Sequence, residues 1–76
     1  MNANEWLGAY ARQLGTDAPT PDEFKTLLNL AAEAAHSSER VAAPVACWLA
    51  ARAGRSPDEA LALARAVAPS DEEAGG

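Results

Sequence analysis

The residues best suited to chemistry are clustered in one short polar segment. His36, Ser37, Ser38, Glu39 and Arg40 follow one another between two alanine-rich stretches. Histidine can transfer a proton near neutral pH, serine can act as a nucleophile, and arginine can hold a carboxylate or a phosphate. A serine-based catalytic site also needs an orienting acid and an oxyanion hole inside a cleft, and neighbouring residues on one turn rarely supply them. We therefore predict no enzyme activity and no catalytic residues.

Two non-catalytic interpretations of this segment remain. In the first, segment 36–40 is a polar site at the junction of two helices that binds an anion or a carboxylate of a partner. In the second, Ser37 or Ser38 caps the helix that follows, and Arg40 braces the corner by pairing with Glu33 or Glu39. His36, Ser37, Ser38, Glu39 and Arg40 are the candidate binding residues under the first interpretation.

The one cysteine of the chain, Cys47, lies eleven positions after His36. Cysteine is usually a small buried hydrophobic residue, and a reactive thiol needs an electropositive and partly exposed setting. One histidine and one cysteine do not make the four ligands of a structural zinc site. The sequence therefore predicts neither a metal nor a cofactor.

Four helices are predicted to position this segment, at about 3–14, 21–36, 40–53 and 57–68. The start signals are Asn2 or Asn4 and the two capping boxes Thr20-Pro21-Asp22-Glu23 and Ser56-Pro57-Asp58-Glu59, and the stop signals are Gly15, Gly54 and Pro69. Pro44 fits the third helix if it lies in its first turn. Short connections favour antiparallel neighbours, so the fold class is all-α: a compact four-helix bundle-like domain at 1–69, with a disordered acidic tail at 70–76.

Apolar spacing predicts which side of each helix is buried. We expect the third helix to bury Val41, Val45, Trp48 and Leu49, which share one face. The predicted inward positions of the other helices are Ala3, Leu7, Tyr10 and Leu14; Phe24, Leu27, Leu28, Ala31, Ala34 and Ala35; and Ala60, Leu63, Ala64 and Val67, with Leu61 beside them. Trp6 stands at the edge of its face and is the candidate interface anchor, because tryptophan is enriched among binding hot spots.

Charge and length exclude several classes of function. The chain has 76 residues, with eleven acidic and six basic side chains. Proteins that bind nucleic acids or anionic membranes usually present a basic face, so neither partner is expected. The sequence shows neither a membrane span nor a signal peptide, and the lone cysteine suits a reducing compartment, so we expect a cytoplasmic protein.

Several of these residues also form a pattern that resembles a small bacterial helical domain of unknown function. The pattern consists of Trp6-Leu7, a leucine-rich second helix with Leu27, Leu28 and Leu30, then Ala35-His36, Glu39-Arg40 and Ala42-Ala43-Pro44. That domain is found alone or as a C-terminal extension of molybdenum-cofactor guanylyltransferases. The resemblance implies an accessory role near molybdenum-cofactor maturation, with the nucleotidyltransferase or a client enzyme as the protein partner.

Three functional hypotheses follow from the sequence. The leading one is a non-enzymatic helical protein-interaction module that uses His36, Glu39 and Arg40 as specific contacts. The second is a small-molecule or anion-binding domain with its pocket at the junction of the second and third helices. The third is a structural bundle that associates with further copies of itself, since a chain this short has a small core.

Overall fold

Hydrogen bonds at the helix ends decide where each helix of this chain begins and stops. In the computed structural model, which describes residues 1–67, α1 spans Ala3–Leu14, α2 spans Pro21–Ser37, α3 spans Ala42–Arg52 and α4 spans Pro57–Arg65. Within that range the chain forms four helices and no strand, which confirms the all-α prediction. α4 ends at Arg65, three residues before the predicted end at Ala68. The predicted stop at Pro69 and the predicted tail lie outside the described residues.

Capping boxes start three of these helices. The Thr20 hydroxyl accepts a hydrogen bond from the Glu23 N–H at 3.1 Å, and the Glu23 carboxylate accepts one from the Thr20 N–H at 2.8 Å. Ser56 and Glu59 form the same reciprocal pair at the start of α4, as the sequence predicts. Asn2 caps α1 in the same way, which settles the choice between Asn2 and Asn4. These bonds satisfy main-chain N–H groups that have no partner inside the helix.

Glycine ends α1 and follows the end of α3. Gly15 and Gly54 have φ values of +80° and +74°, in the left-handed region that strains residues with a Cβ. Both stop signals read from the sequence are therefore confirmed.

The core lies where α3 and α4 pack along α2. Leu30 of α2 is the most buried of the core side chains, at 2% exposure, and it packs with Ala60 and Leu61 of α4. Cys47 and Ala50 add the α3 side of this core. Because α3 and α4 each pack closely on α2 but approach each other much less, a groove remains between them. α1 also packs sparsely on the rest of the domain.

Several predicted helix faces are wrong. Leu28 of α2 and Tyr10 and Leu14 of α1 are about half exposed or more, and so are Leu63 of α4 and Val67, which lies just after α4. The largest error concerns α3, whose predicted core face points to solvent. In the described part of the chain the buried hydrophobic residues are two alanines and two leucines, Ala11, Leu30, Ala60 and Leu61, while many large side chains remain exposed.

Candidate functional site

Segment 36–40 forms the corner between α2 and α3. Ser37 is the last residue of α2, and its hydroxyl donates a hydrogen bond to the Glu33 carboxylate at 3.0 Å. Ser38 is the C-cap of α2, where its N–H donates to the Ala34 carbonyl at 3.1 Å. Neither serine caps α3, because Val41 is its N-cap and no side chain bonds there. That part of the sequence prediction is wrong: the chain needs three more residues to turn before α3 can begin.

The start of α3 has no free main-chain donors in its first three residues. The Ala42 N–H donates to the Glu39 carbonyl at 2.9 Å, and the Ala43 N–H donates to the Arg40 carbonyl at 3.1 Å. Pro44, the third residue of α3, has no N–H to give. Anion sites at helix starts depend on such free donors. This arrangement counts against an anion pocket at the corner, and it confirms that Pro44 lies in the first turn.

The charged side chains of the corner point to solvent. His36, Glu39 and Arg40 are all exposed. Glu33, one of the two acids expected to hold Arg40, instead faces Arg65 of α4, with its Oε1 3.9 Å from the Arg65 Nε. Among residues 1–67 the Arg40 guanidinium takes part in no ion pair, so it does not brace the corner as the second interpretation proposed. It remains available to a partner.

α3 carries a continuous apolar surface on the side away from α2. We call Val41, Val45, Trp48 and Leu49 the outer face; each of these four side chains is more than half exposed, with Trp48 at 57%. They fall at i, i+4, i+7 and i+8, which places them on one side of a helix. The prediction grouped these residues correctly but placed them in the core, which is wrong.

Arg52 lies on the same side of α3, one turn after Trp48. Its guanidinium carbon is 5.1 Å from the centroid of the Trp48 ring, a cation–π arrangement. A guanidinium that contacts a ring in this way keeps N–H donors that can bond to other groups. Arg52 can therefore hold Trp48 in place and still bind a carboxylate.

The outer face continues into the groove between α3 and α4. The groove encloses about 340 Å³, and Leu49 belongs to both surfaces. Its other apolar walls come from Ala53 of the turn after α3, from Leu63 and Ala64 of α4 and from Val67, while Leu30 forms its buried floor. Outer face and groove together form one apolar strip across two helices, which we call the α3–α4 surface.

Trp6 is exposed, as expected of a candidate interface anchor, but it lies on α1 and not on the α3–α4 surface. It is 53% exposed, and its ring centroid is 5.1 Å from that of Tyr10. A second concavity, of about 360 Å³, lies between α1 and the start of α2 and is lined by Leu7, Pro21 and Phe24 among others. Trp6 is not among the residues that line it.

Among residues 1–67, Cys47 and the acidic side chains form no evident chemical centre. Cys47 is half buried against the core, and this burial raises the pKa of its thiol. Residues 1–67 contain no group of three or more histidine, cysteine, aspartate or glutamate side chains placed to hold a metal. None of the helices in the same range is both long enough and apolar enough to cross a bilayer.

The spacing of the small residues of α3 indicates which face of the helix is buried, but the predicted faces were chosen from the large residues. Ala43, Ala46, Cys47 and Ala50 are all half-buried and fall at i, i+3, i+4 and i+7. This spacing marks one face of a helix as clearly as leucines would. A thin face of this kind suits close packing, and the large residues opposite it then have to lie outside.

A comparison with protein families identifies the chain. A family model described as a domain of unknown function (DUF6457) matches residues 1–75, so the chain belongs to that family. No curated protein matches, and no solved structure does either.

Proposed function

We propose that this member of the DUF6457 family is a non-enzymatic protein-interaction module that binds its partner through the α3–α4 surface. The observation that carries the proposal is the outer face of α3, where valine, tryptophan and leucine side chains are more than half exposed on one helix. Scattered apolar residues on a surface are ordinary, but a contiguous patch marks an interaction site.

The core of this short chain is small, although the outer face has large apolar side chains that could have enlarged it. Large apolar side chains stabilise a short chain most when they are buried, yet α3 turns half-buried alanines and Cys47 toward the core instead. Covering the outer face with a partner recovers that hydrophobic stabilisation. Trp48 and Leu49 then act as anchors at the centre of the interface, where most of the binding energy is usually found.

The corner residues fit a polar rim at one end of this interface. Arg40 directly precedes Val41, the first residue of the outer face, and its guanidinium is exposed. His36 and Glu39 lie in the same exposed corner. Rim charges mainly set orientation and association rate, so we assign Arg40 and its neighbours to specificity and the apolar anchors to affinity.

The resemblance to domains appended to molybdenum-cofactor guanylyltransferases supports one class of partner. We place that partner among the nucleotidyltransferases of molybdenum-cofactor maturation or their client enzymes, in a bacterial cytoplasm. A half-buried free cysteine fits a reducing compartment. Binding of the purified nucleotidyltransferase to the full chain tests this assignment separately from the interface itself.

Affinity capture with matched baits tests the proposed function. The baits are the wild-type chain, Leu49→Asp and Leu28→Asp, because Leu28 is exposed to a similar degree but lies on α2 outside the surface. Proteins from an extract of the source cells are quantified on each bait. We expect a set of proteins that the wild type and Leu28→Asp retain equally and that Leu49→Asp loses about tenfold or more. An identical set on all three baits overturns the proposal.

A further inference from the structure

The α3 side of the α3–α4 surface has an unusual charge for this protein. Between positions 40 and 57 the sequence contains Arg40, Arg52 and Arg55 and no acidic residue, so this segment carries +3. Because the whole chain carries −5, the remaining positions together carry −8. The basic segment begins at Arg40, the last residue of the corner, and includes α3 and the turn that follows it, whereas Glu39 lies directly before it.

Two of these arginines lie at opposite ends of the outer face. Arg40 precedes the face and Arg52 ends α3, and within the described residues neither forms an ion pair. Arg55 differs, since its Nη1 lies 3.8 Å from the Glu59 carboxylate. The eleven residues of α3 span about 16 Å, or three turns of helix. Two positive charges that form no ion pair within the described residues therefore lie at the two ends of the outer face, separated by about the length of α3.

We propose that the occupant of the α3–α4 surface is an amphipathic helix of a partner protein, with carboxylates about three turns apart on either side of its apolar anchors. This rests on the proposed function and adds the chemistry of the partner. Leucine-like side chains at i, i+3, i+4 and i+7 fit a groove between two helices, and the flanking carboxylates reach Arg40 and Arg52. The contact between the Arg52 guanidinium and the Trp48 ring places this charge beside the outer face.

Charge complementarity favours this occupant over a second copy of the chain. Two outer faces packed together would bring the basic segments of both copies into one interface, with no acid in either segment to offset them. Like charges brought together in this way cost binding energy. An acidic amphipathic helix removes the conflict and uses the same apolar anchors.

The test is a selection from displayed helical peptides of about four turns. The library fixes leucines at i, i+3, i+4 and i+7 and varies the flanking positions among Glu, Lys, Gln and Ser. The baits are the full wild-type chain, Leu49→Asp, Arg52→Glu and, as a matched charge control, Arg12→Glu on α1. Circular dichroism of each bait confirms that it keeps its helices.

We expect the wild type and Arg12→Glu to enrich glutamate at both flanks, Leu49→Asp to enrich nothing, and Arg52→Glu to prefer lysine at one flank. A selected peptide should bind Arg52→Glu about tenfold more weakly than the wild type, and this difference should shrink in high salt. Enrichment of peptides that does not depend on the charge of the flanking residues overturns the inference but leaves the proposed function standing.

Two further results also overturn the inference. One is the failure of any peptide to be enriched over the Leu49→Asp bait. The other is sedimentation that shows a wild-type dimer abolished by Leu49→Asp, because the occupant is then a second copy. The capture experiment tests the proposed function separately, and that proposal fails when no captured protein depends on Leu49.

Discussion

Three leucine-to-alanine substitutions separate the core from the α3–α4 surface on grounds of stability alone. Leu30 is 2% exposed, whereas Leu28 and Leu49 are 58% and 54% exposed. The chemical change is the same at all three positions, so differences in the free energy of unfolding report burial. Leu30→Ala removes a nearly fully buried side chain and leaves a cavity, which costs about 3 kcal/mol. At Leu28 and Leu49 less than half of the residue is buried, so the substitution removes less buried apolar surface and forms no closed cavity, and the cost is about 1 kcal/mol each.

The difference of about 2 kcal/mol is large for this domain. A chain of 76 residues typically has a free energy of unfolding of about 4–11 kcal/mol. Leu30→Ala should therefore melt about 8–16 °C below the other two variants. Urea denaturation and thermal melts followed by far-ultraviolet circular dichroism measure both quantities. If Leu49→Ala proves as destabilising as Leu30→Ala, Leu49 belongs to the core and the outer face is assigned wrongly.

Three further predictions concern caps and titrating groups. Ser56→Ala should cost about 1 kcal/mol in urea denaturation because it removes the cap of α4, whereas Ser38→Ala should cost much less, since no side chain caps α3. Hydrogen bonds from the Ser56 N–H and hydroxyl, helped by Arg55, lower the pKa of Glu59, so NMR titration should find it below the usual glutamate value. Because the pKa of Glu59 is lower in the folded state, ionised Glu59 stabilises the fold above the unfolded-state pKa, and this stabilisation is lost as the pH falls through the folded-state pKa. The variant Glu59→Gln should remove this pH dependence. Burial raises the pKa of Cys47, so a maleimide should label it more slowly than free cysteine at neutral pH and faster once urea unfolds the chain.

Much of the helical framework could be predicted because local chemistry fixes it. The boxes at Thr20 and Ser56 and the glycines at positions 15 and 54 act within a few residues, so their signals stand in the sequence itself. The start of α3 was predicted less well, because main-chain bonds to the Glu39 and Arg40 carbonyls replace a side-chain cap there. Main-chain hydrogen bonds of this kind do not require a particular residue type, so the sequence does not predict them.

The faces of the helices were harder to predict, because packing depends on which helices meet. Trp48 is the largest side chain of α3, and a rule that buries the largest residues places it inside. The structure instead packs Cys47 and Ala50 against the core that α2 and α4 form, and it leaves Trp48 exposed beside the Arg52 guanidinium. Residue spacing gave the correct groups of residues on α3, but hydrophobicity alone did not tell which group faces inward.

The structure also moves the candidate site from segment 36–40 to the α3–α4 surface, because packing determines which apolar residues are exposed. Segment 36–40 was identified from its polar residues, and the structure leaves His36, Glu39 and Arg40 exposed at the corner. The sequence did not predict the apolar surface beside them, because its residues are of the same types as those of a core. An exposed interface and a buried core use the same side chains, and the neighbouring helices decide between them.

Photo-crosslinking inside the source cells tests the α3–α4 surface most directly. A photoreactive phenylalanine derivative replaces Leu49 in one strain and Leu28 in another, and the crosslinked products are identified by mass spectrometry. We predict a discrete crosslinked protein from position 49 and none of comparable yield from position 28. Equal products from the two positions, or no product from position 49, would contradict the claim that this surface is a protein interface.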